Sequence, residues 1–201
     1  TLEDINSVLK AGADKVSINT AAIGNPDFIN QASRAFGSST IVVAVEAIRQ
    51  PDHSFLAYTD NGREYTGADV LSWVKEAEER GAGEILLTSI DYEGTGNGCD
   101  LDLIRMVAGA VTIPVIAHGG AANVTHLIDS INHAGADAVA IASMLHYAAF
   151  KRNGNLSENF EDEGNIEFLK KKSSFKIFGA ENIADLKRNL AQNKIPVRML
   201  S

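Results

Sequence analysis

What the chain lacks narrows what it can do. It has one cysteine, Cys99, in 201 residues. No internal disulfide can form, and a lone thiol fits a reducing cytosol. No run of about 18 apolar residues occurs, so no membrane span is expected. The first amphipathic segment is not preceded by a basic and then an apolar stretch, so a secretory leader is expected to be absent or removed before this numbering begins, and a cytoplasmic protein is expected. Positive charge is also short, with 18 Lys and Arg against 26 Asp and Glu and a net charge of -8. A general nucleic-acid binder needs a basic face to displace counterions, which this balance does not supply. A local pocket for a small phosphorylated ligand remains open to it. No His, Cys or Asp spacing resembles a metal site, so neither metal nor cofactor is expected. Cys99 has no histidine near it in sequence, and Ser143 lacks the elbow motif of a serine nucleophile.

What is present is a repeat. "AGADKVSINT" (11–20), "RGAGEILLTS" (80–89) and "AGADAVAIAS" (134–143) each hold a Gly-Ala turn, a short apolar run and a final small hydroxyl residue. Strands are expected at 15–20, 40–48, 84–90, 114–120 and 138–145. Helical periodicity falls between them at 2–10, 26–36, 69–80, 100–110, 123–133 and 181–193. Strands alternating with helices imply parallel βαβ units, and nearly unbroken apolar strands imply a sheet covered on both faces. The repeat marks every second strand. Alternate strands share a side-chain layer in a (β/α)8 barrel, whereas an open doubly wound sheet gives no reason for the pattern. The expectation is therefore an α/β fold of the (β/α)8 barrel type, in one domain. Five strands cannot close such a ring, so the chain should cover about the last five β/α units, with the rest in a longer chain or another one. Two stretches break the alternation. Residues 49–67, with turns at "PD" and "DNG", read as a β-hairpin excursion. Residues 150–178, rich in Asn, Glu and Lys, read as a surface insertion.

In a parallel barrel the active site lies at the carboxyl ends of the strands. That rule selects Asn19 and Thr20, Glu46, residues 88–91, residues 118–120, and Ala142 with Ser143. In "IDYEGTGNGCD", Gly94 and its neighbouring glycines let amides face an anion, and Thr95 adds a hydroxyl. Gly119 and Gly120 lie where strand passes to helix, with Asn123 as N-cap, so free amides point at a phosphate. Together with Ser143 these loops form one phosphate site, and Asn19 and Thr20 suggest a second. Glu46 closes an apolar strand, where a carboxylate is costly to bury without purpose. General acid/base work is one reading, and an ion pair with Arg49 or a neighbouring lysine is the other. Asp91 is the second carboxylate, with a loop cap as its alternative. Among the histidines His118 alone stands at a strand end facing this site.

The segments "GADKVSINTAA", "GAGEILLTSID", "EGT-x-x-G", "PVIAHGG" and "GADAVAIAS" resemble the cyclase subunit of imidazole glycerol phosphate synthase. The likeness runs from Thr1 to about Tyr147 and resumes at 181–200. It implies a lyase of histidine biosynthesis that takes ammonia from a glutaminase subunit, cleaves a phosphorylated ribonucleotide and closes an imidazole ring. It places Asn19 and Thr20 at one substrate phosphate, Gly94, Gly120, Ala142 and Ser143 at the other, and Thr88 in the site. It places Asp14, Lys15 and Glu84 at the opposite mouth, where the glutaminase docks and ammonia enters. The family's two catalytic groups are aspartates. One lies on a first strand that this sequence does not contain, and the position of the other is Glu46. His118 stands where serine is usual. These departures, with the 150–178 insertion, resemble a branch of the family linked to sugar amidation in surface-polysaccharide synthesis. A non-catalytic barrel fragment that keeps phosphate binding is the third reading.

Overall fold

A computed structural model of the chain describes residues 1–153 and 182–199. In chain order the elements are α1 (Leu2–Lys10), β1 (Val16–Ile18), α2 (Thr20–Gly24), α3 (Asp27–Phe36), β2 (Ile41–Arg49), β3 (Phe55–Thr59), β4 (Glu64–Asp69), α4 (Val70–Glu79), β5 (Glu84–Ser89), α5 (Leu101–Ala108), β6 (Val115–His118), α6 (Val124–Asn132), β7 (Ala138–Ala140), α7 (Ser143–Asn153) and α8 (Ile183–Gln192). The helix starts are written in the sequence. Asp69, Asp100, Asn123 and Asn182 each accept a backbone N–H of the first turn, and Thr1 with Asp4 forms a capping box.

Five strands run parallel in the order β1, β2, β5, β6, β7. Strands β3 and β4 are antiparallel and extend the sheet beside β2, completing seven strands. β1 and β3 share one edge of β2: β1 pairs along 41–43 and β3 along 46–49. The sheet does not close. Among the described residues the outer edge of β7 carries no strand. This is the incomplete barrel expected from five βα units.

The two faces of the sheet differ. Val43, Val45 and Ala47 of β2, Ile85 and Leu87 of β5, and Val115 and Ala117 of β6 are buried against Val70, Trp73, Val74 and Ala77 of α4, Leu103 and Val107 of α5, and Leu127 of α6. Burying each such aliphatic side chain contributes about 1.5–3 kcal/mol, before the entropy of ordering it is subtracted. Residues of opposite parity (Ala44, Glu46, Leu86, Ile116, His118, Ala140) are only half-buried. In a closed ring that face would be the lumen.

The repeated Gly-Ala turn has a steric cause. Gly12, Gly81 and Gly135 follow α1, α4 and α6 with φ of 109°, 104° and 82°, the left-handed exit that glycine allows at a helix end. The strand ends differ from expectation. The strand expected at 138–145 stops at Ala140, where its pairing with β6 runs out at His118. Beyond it Met144 and Ala148 bury one turn apart on α7, a helical spacing. Likewise Thr20 opens the short helix α2 instead of ending a strand. Of the expected 150–178 insertion, residues 150–153 belong to α7 and 154–178 lie outside the described residues.

Candidate functional site

The register of three neighbouring strands sets the site. Glu46 of β2 lies opposite Thr88 of β5, and Thr88 lies opposite His118 of β6, so the three share one row on the half-buried face. At about 4.8 Å per strand step, Glu46 and His118 stand roughly 10 Å apart across Thr88. The Thr88 hydroxyl lies 3.1 Å from Nδ1 of His118. Oε2 of Glu46 accepts the backbone N–H of Gly62, at the tip of the β3–β4 hairpin, at 2.9 Å. The expected alternative for Glu46, an ion pair with Arg49, is not formed. Arg49 instead pairs with Asp100 at 3.1 Å and stacks on the Phe55 ring, 4.5 Å from its centroid.

Beside His118 a cleft enclosing about 30 Å³ is lined by Glu93, Gly94 and Gly96 of the β5–α5 loop, by residues 118–121 of the β6–α6 turn, and by residues 140–143 leading into α7. The expected phosphate loops are thus brought together: Gly94, His118, Gly119, Gly120, Ala142 and Ser143 all face one cleft. Gly119 and Gly120 are held by contacts with no room to spare. Gly98 donates its N–H to the Gly120 carbonyl at 2.9 Å. A Cβ on Gly120 would lie 2.0 Å from the Gly98 oxygen, and one on Gly119 2.7 Å from the Ser89 oxygen. Among the described residues neither Lys nor Arg lines the cleft. An anion there would rely on backbone N–H groups, the amino end of the eleven-residue α7 and the His118 imidazole.

Other expected residues lie elsewhere. Thr95 does not line the cleft: its hydroxyl donates to the Tyr92 carbonyl at 2.7 Å and accepts the Asn97 N–H at 3.2 Å, bracing the loop. Asp91 accepts the Arg49 N–H at 2.8 Å and borders a separate, open depression with Pro51, His53 and Tyr92. Asn19 and Thr20 sit at the end of β1, on the far side of β2 from the cleft. At the opposite ends of the strands Lys15 is ion-paired with Glu84, and Asp14, exposed, precedes that pair in the chain. Burial pushes the Cys99 thiol above its ordinary range, which leaves it protonated and inert. Among the described residues no group of three or more His, Cys, Asp or Glu is placed to hold a metal ion, and no helix is long and apolar enough to cross a membrane.

Three features escaped the sequence reading. Glu93 puts a carboxylate on the wall of an anion-type cleft. Gly62 supplies an amide to Glu46 from 16 residues away. The Ser89 hydroxyl is buried without a hydrogen-bond partner among the described residues. The first was legible in principle, because Glu93 adjoins the glycines of "EGTGNG". The other two arise only from tertiary packing.

A family model described as histidine biosynthesis protein matches residues 1–151. Among curated proteins, "Imidazole glycerol phosphate synthase subunit HisF" of Trichormus variabilis is 51% identical over 150 residues, covering 73% of this chain and 58% of the relative. The protein of the same name from a Nostoc species is 41% identical over 202 residues, covering 99% of this chain and 66% of the relative. The Streptococcus mutans counterpart is 47% identical over 147 residues, covering 73% and 59%. The chain therefore spans about three fifths to two thirds of the length of the curated relatives it matches.

Proposed function

Since this chain belongs to the histidine biosynthesis protein family, we propose that it forms part of a cyclase subunit of imidazole glycerol phosphate synthase, a lyase that uses glutaminase-derived ammonia to close an imidazole ring. The observation that carries this reading is the row Glu46–Thr88–His118, whose His118 end lines the glycine-rich cleft. A proton-transfer group and an anion cradle then share one strand-end rim, which is what ring closure on a phosphorylated substrate requires.

In this reading Glu46 is the general acid/base. Its carboxylate exchanges protons with the atoms that lose water as the ring closes, a contribution of about 10²–10⁴ in rate. Thr88 orients the His118 ring, and His118 with the N–H groups around Gly94, Gly119, Gly120, Ala142 and Ser143 holds one phosphate of the substrate. Asn19 and Thr20, across β2, hold the phosphate at the other end of an elongated substrate, with Thr95 and Asp91 keeping the intervening loop in shape. Lys15, Glu84 and Asp14 form the face toward the glutaminase and the entry for ammonia. A cytoplasmic location and a phosphorylated small-molecule substrate, with neither cofactor nor nucleic acid, complete the proposal.

Ammonia transfer for sugar amidation is the second reading. It is favoured by Glu46 and His118, which stand where the resemblance implies aspartate and serine. One experiment separates the two. The protein is given saturating ammonium and the phosphoribulosyl formimino carboxamide ribonucleotide, and imidazole product is measured. The cyclase reading expects turnover that falls at least about 100-fold in Glu46→Gln. Equal turnover by wild type and Glu46→Gln, or no imidazole product from either, overturns it.

A further inference from the structure

The geometry points to the tip of the β3–β4 hairpin as the positioning element for Glu46, acting through the backbone N–H of Gly62. This rests on the reading of Glu46 as the proton-transfer group. Among the described residues no Lys or Arg is ion-paired with Glu46, and the 2.9 Å bond from Gly62 is the contact that fixes its carboxylate. Glutamate has one more rotatable bond than aspartate, so an unheld carboxylate at this position would sample a wider volume and lose more entropy when it reacts. An amide bonded to one carboxylate oxygen removes that freedom and leaves Oε1 for proton transfer. A bond to a charged acceptor is also among the stronger kinds.

The amide is itself firmly placed. Asp60, Asn61 and Gly62 have φ of 54°, 56° and 76°, a left-handed turn that folds the tip back toward the sheet. A Cβ on Gly62 would lie 2.8 Å from Cγ2 of Ile90 and 3.4 Å from Cδ1 of Ile48, so the glycine is seated on both side chains. Ile90 is in turn anchored to β2, its N–H donating to the Ala47 carbonyl at 3.0 Å. The strand end leading into the tip is set by the pairing of Tyr58 with Glu46 itself. Gly62 thus takes its place from the strand that carries the acid and from the first residue of the loop that builds the cleft. It is a positioning residue that does not contact the substrate.

The test is amide hydrogen exchange read residue by residue, with turnover beside it. In Glu46→Ala the Gly62 amide should exchange about 10- to 100-fold faster than in wild type, the factor expected for losing a hydrogen bond to a charged group. The Arg63 amide, bonded to the Thr59 carbonyl at 3.1 Å in the same tip, should stay unchanged. Unchanged exchange at Gly62 overturns the inference, and so does equal acceleration at both amides, which would make Glu46 a strut for the whole hairpin. In turnover, Gly62→Ala should lower kcat about tenfold at constant KM, and should add little in a Glu46→Asp background, whose shorter side chain does not reach the tip. Multiplicative losses in the two backgrounds also overturn it. Exchange needs no turnover, so an enzyme indifferent to Glu46→Gln would sink the functional reading and leave the tether tested separately.

Discussion

Alanine at Gly120 should break the cleft at its tightest point. Gly120 has φ of 90°, where an L side chain is strained by about 1–2 kcal/mol. Its new Cβ would stand 2.0 Å from the Gly98 carbonyl oxygen, which is backbone and cannot rotate away. Moving the two loops apart costs a further 1–3 kcal/mol or so, as overpacking does elsewhere. It also forfeits the 2.9 Å bond from the Gly98 N–H to the Gly120 carbonyl, about 1 kcal/mol net. Together these predict roughly 3–6 kcal/mol of destabilisation, a large share of a typical domain's stability. Gly94→Ala is the matched control: its φ is 72°, but its Cβ would meet nothing within 4 Å. It should therefore cost only the strain of about 1–2 kcal/mol. Urea unfolding of the two variants and wild type measures both. The reasoning fails if Gly120→Ala is no more destabilising than Gly94→Ala.

Three other outcomes follow from the contacts. Asp100 caps α5 through the Leu103 N–H at 3.1 Å and pairs with Arg49, its side chain 2% exposed. Asp100→Ala should cost about 2–4 kcal/mol in urea unfolding, because it uncaps the helix and leaves the Arg49 guanidinium only its longer, 3.6 Å pairing with the exposed Asp102. Thr88→Val should lower the unfolding free energy by about 1 kcal/mol, the loss of one hydrogen bond, while freeing the His118 ring, seen as altered nitrogen shifts of that imidazole. Burial holds the His126 ring below its ordinary value of 6.5. A group whose folded value is depressed takes up more protons unfolded than folded, so its contribution is complete above pH 6.5 and is lost as pH falls below it. The difference in unfolding free energy between wild type and His126→Gln should therefore shrink between pH 7 and pH 5. A difference that grows on acidification would contradict the burial argument.

The strands were legible because each is a short β-branched run behind a glycine turn, and that signal is local. Their ends were not. Ser143 and Met144 continue the apolar run of β7 in sequence, yet the ladder to β6 is exhausted at Ala140 and the chain gains more by burying Met144 on a helix. The cleft was legible as two glycine loops and the segment ending in Ser143 because the fold rule assigns strand ends to one rim. Which side chains face it was legible only in part: His118 does, as expected, but Thr95 and Asp91 do not. Thr95 carries the right hydroxyl, but a carbonyl three residues back claims it. Asp91 is drawn to the Arg49 amide across the sheet. The partner of Glu46 escaped for the same reason: the choice between Arg49 and Gly62 is made by hairpin packing on Ile48 and on Ile90, and Ile90 is far from Glu46 in sequence.

In the proposed reading the cleft acts as an anion cradle. Titrating the protein with inorganic phosphate while recording backbone amide resonances tests it. The expected shifts fall on Gly94, Gly96, Gly119, Gly120 and Ser143, with the His118 ring moving alongside them. Saturable shifts confined to those residues fit the account, and a titration that leaves them still while other amides move contradicts it.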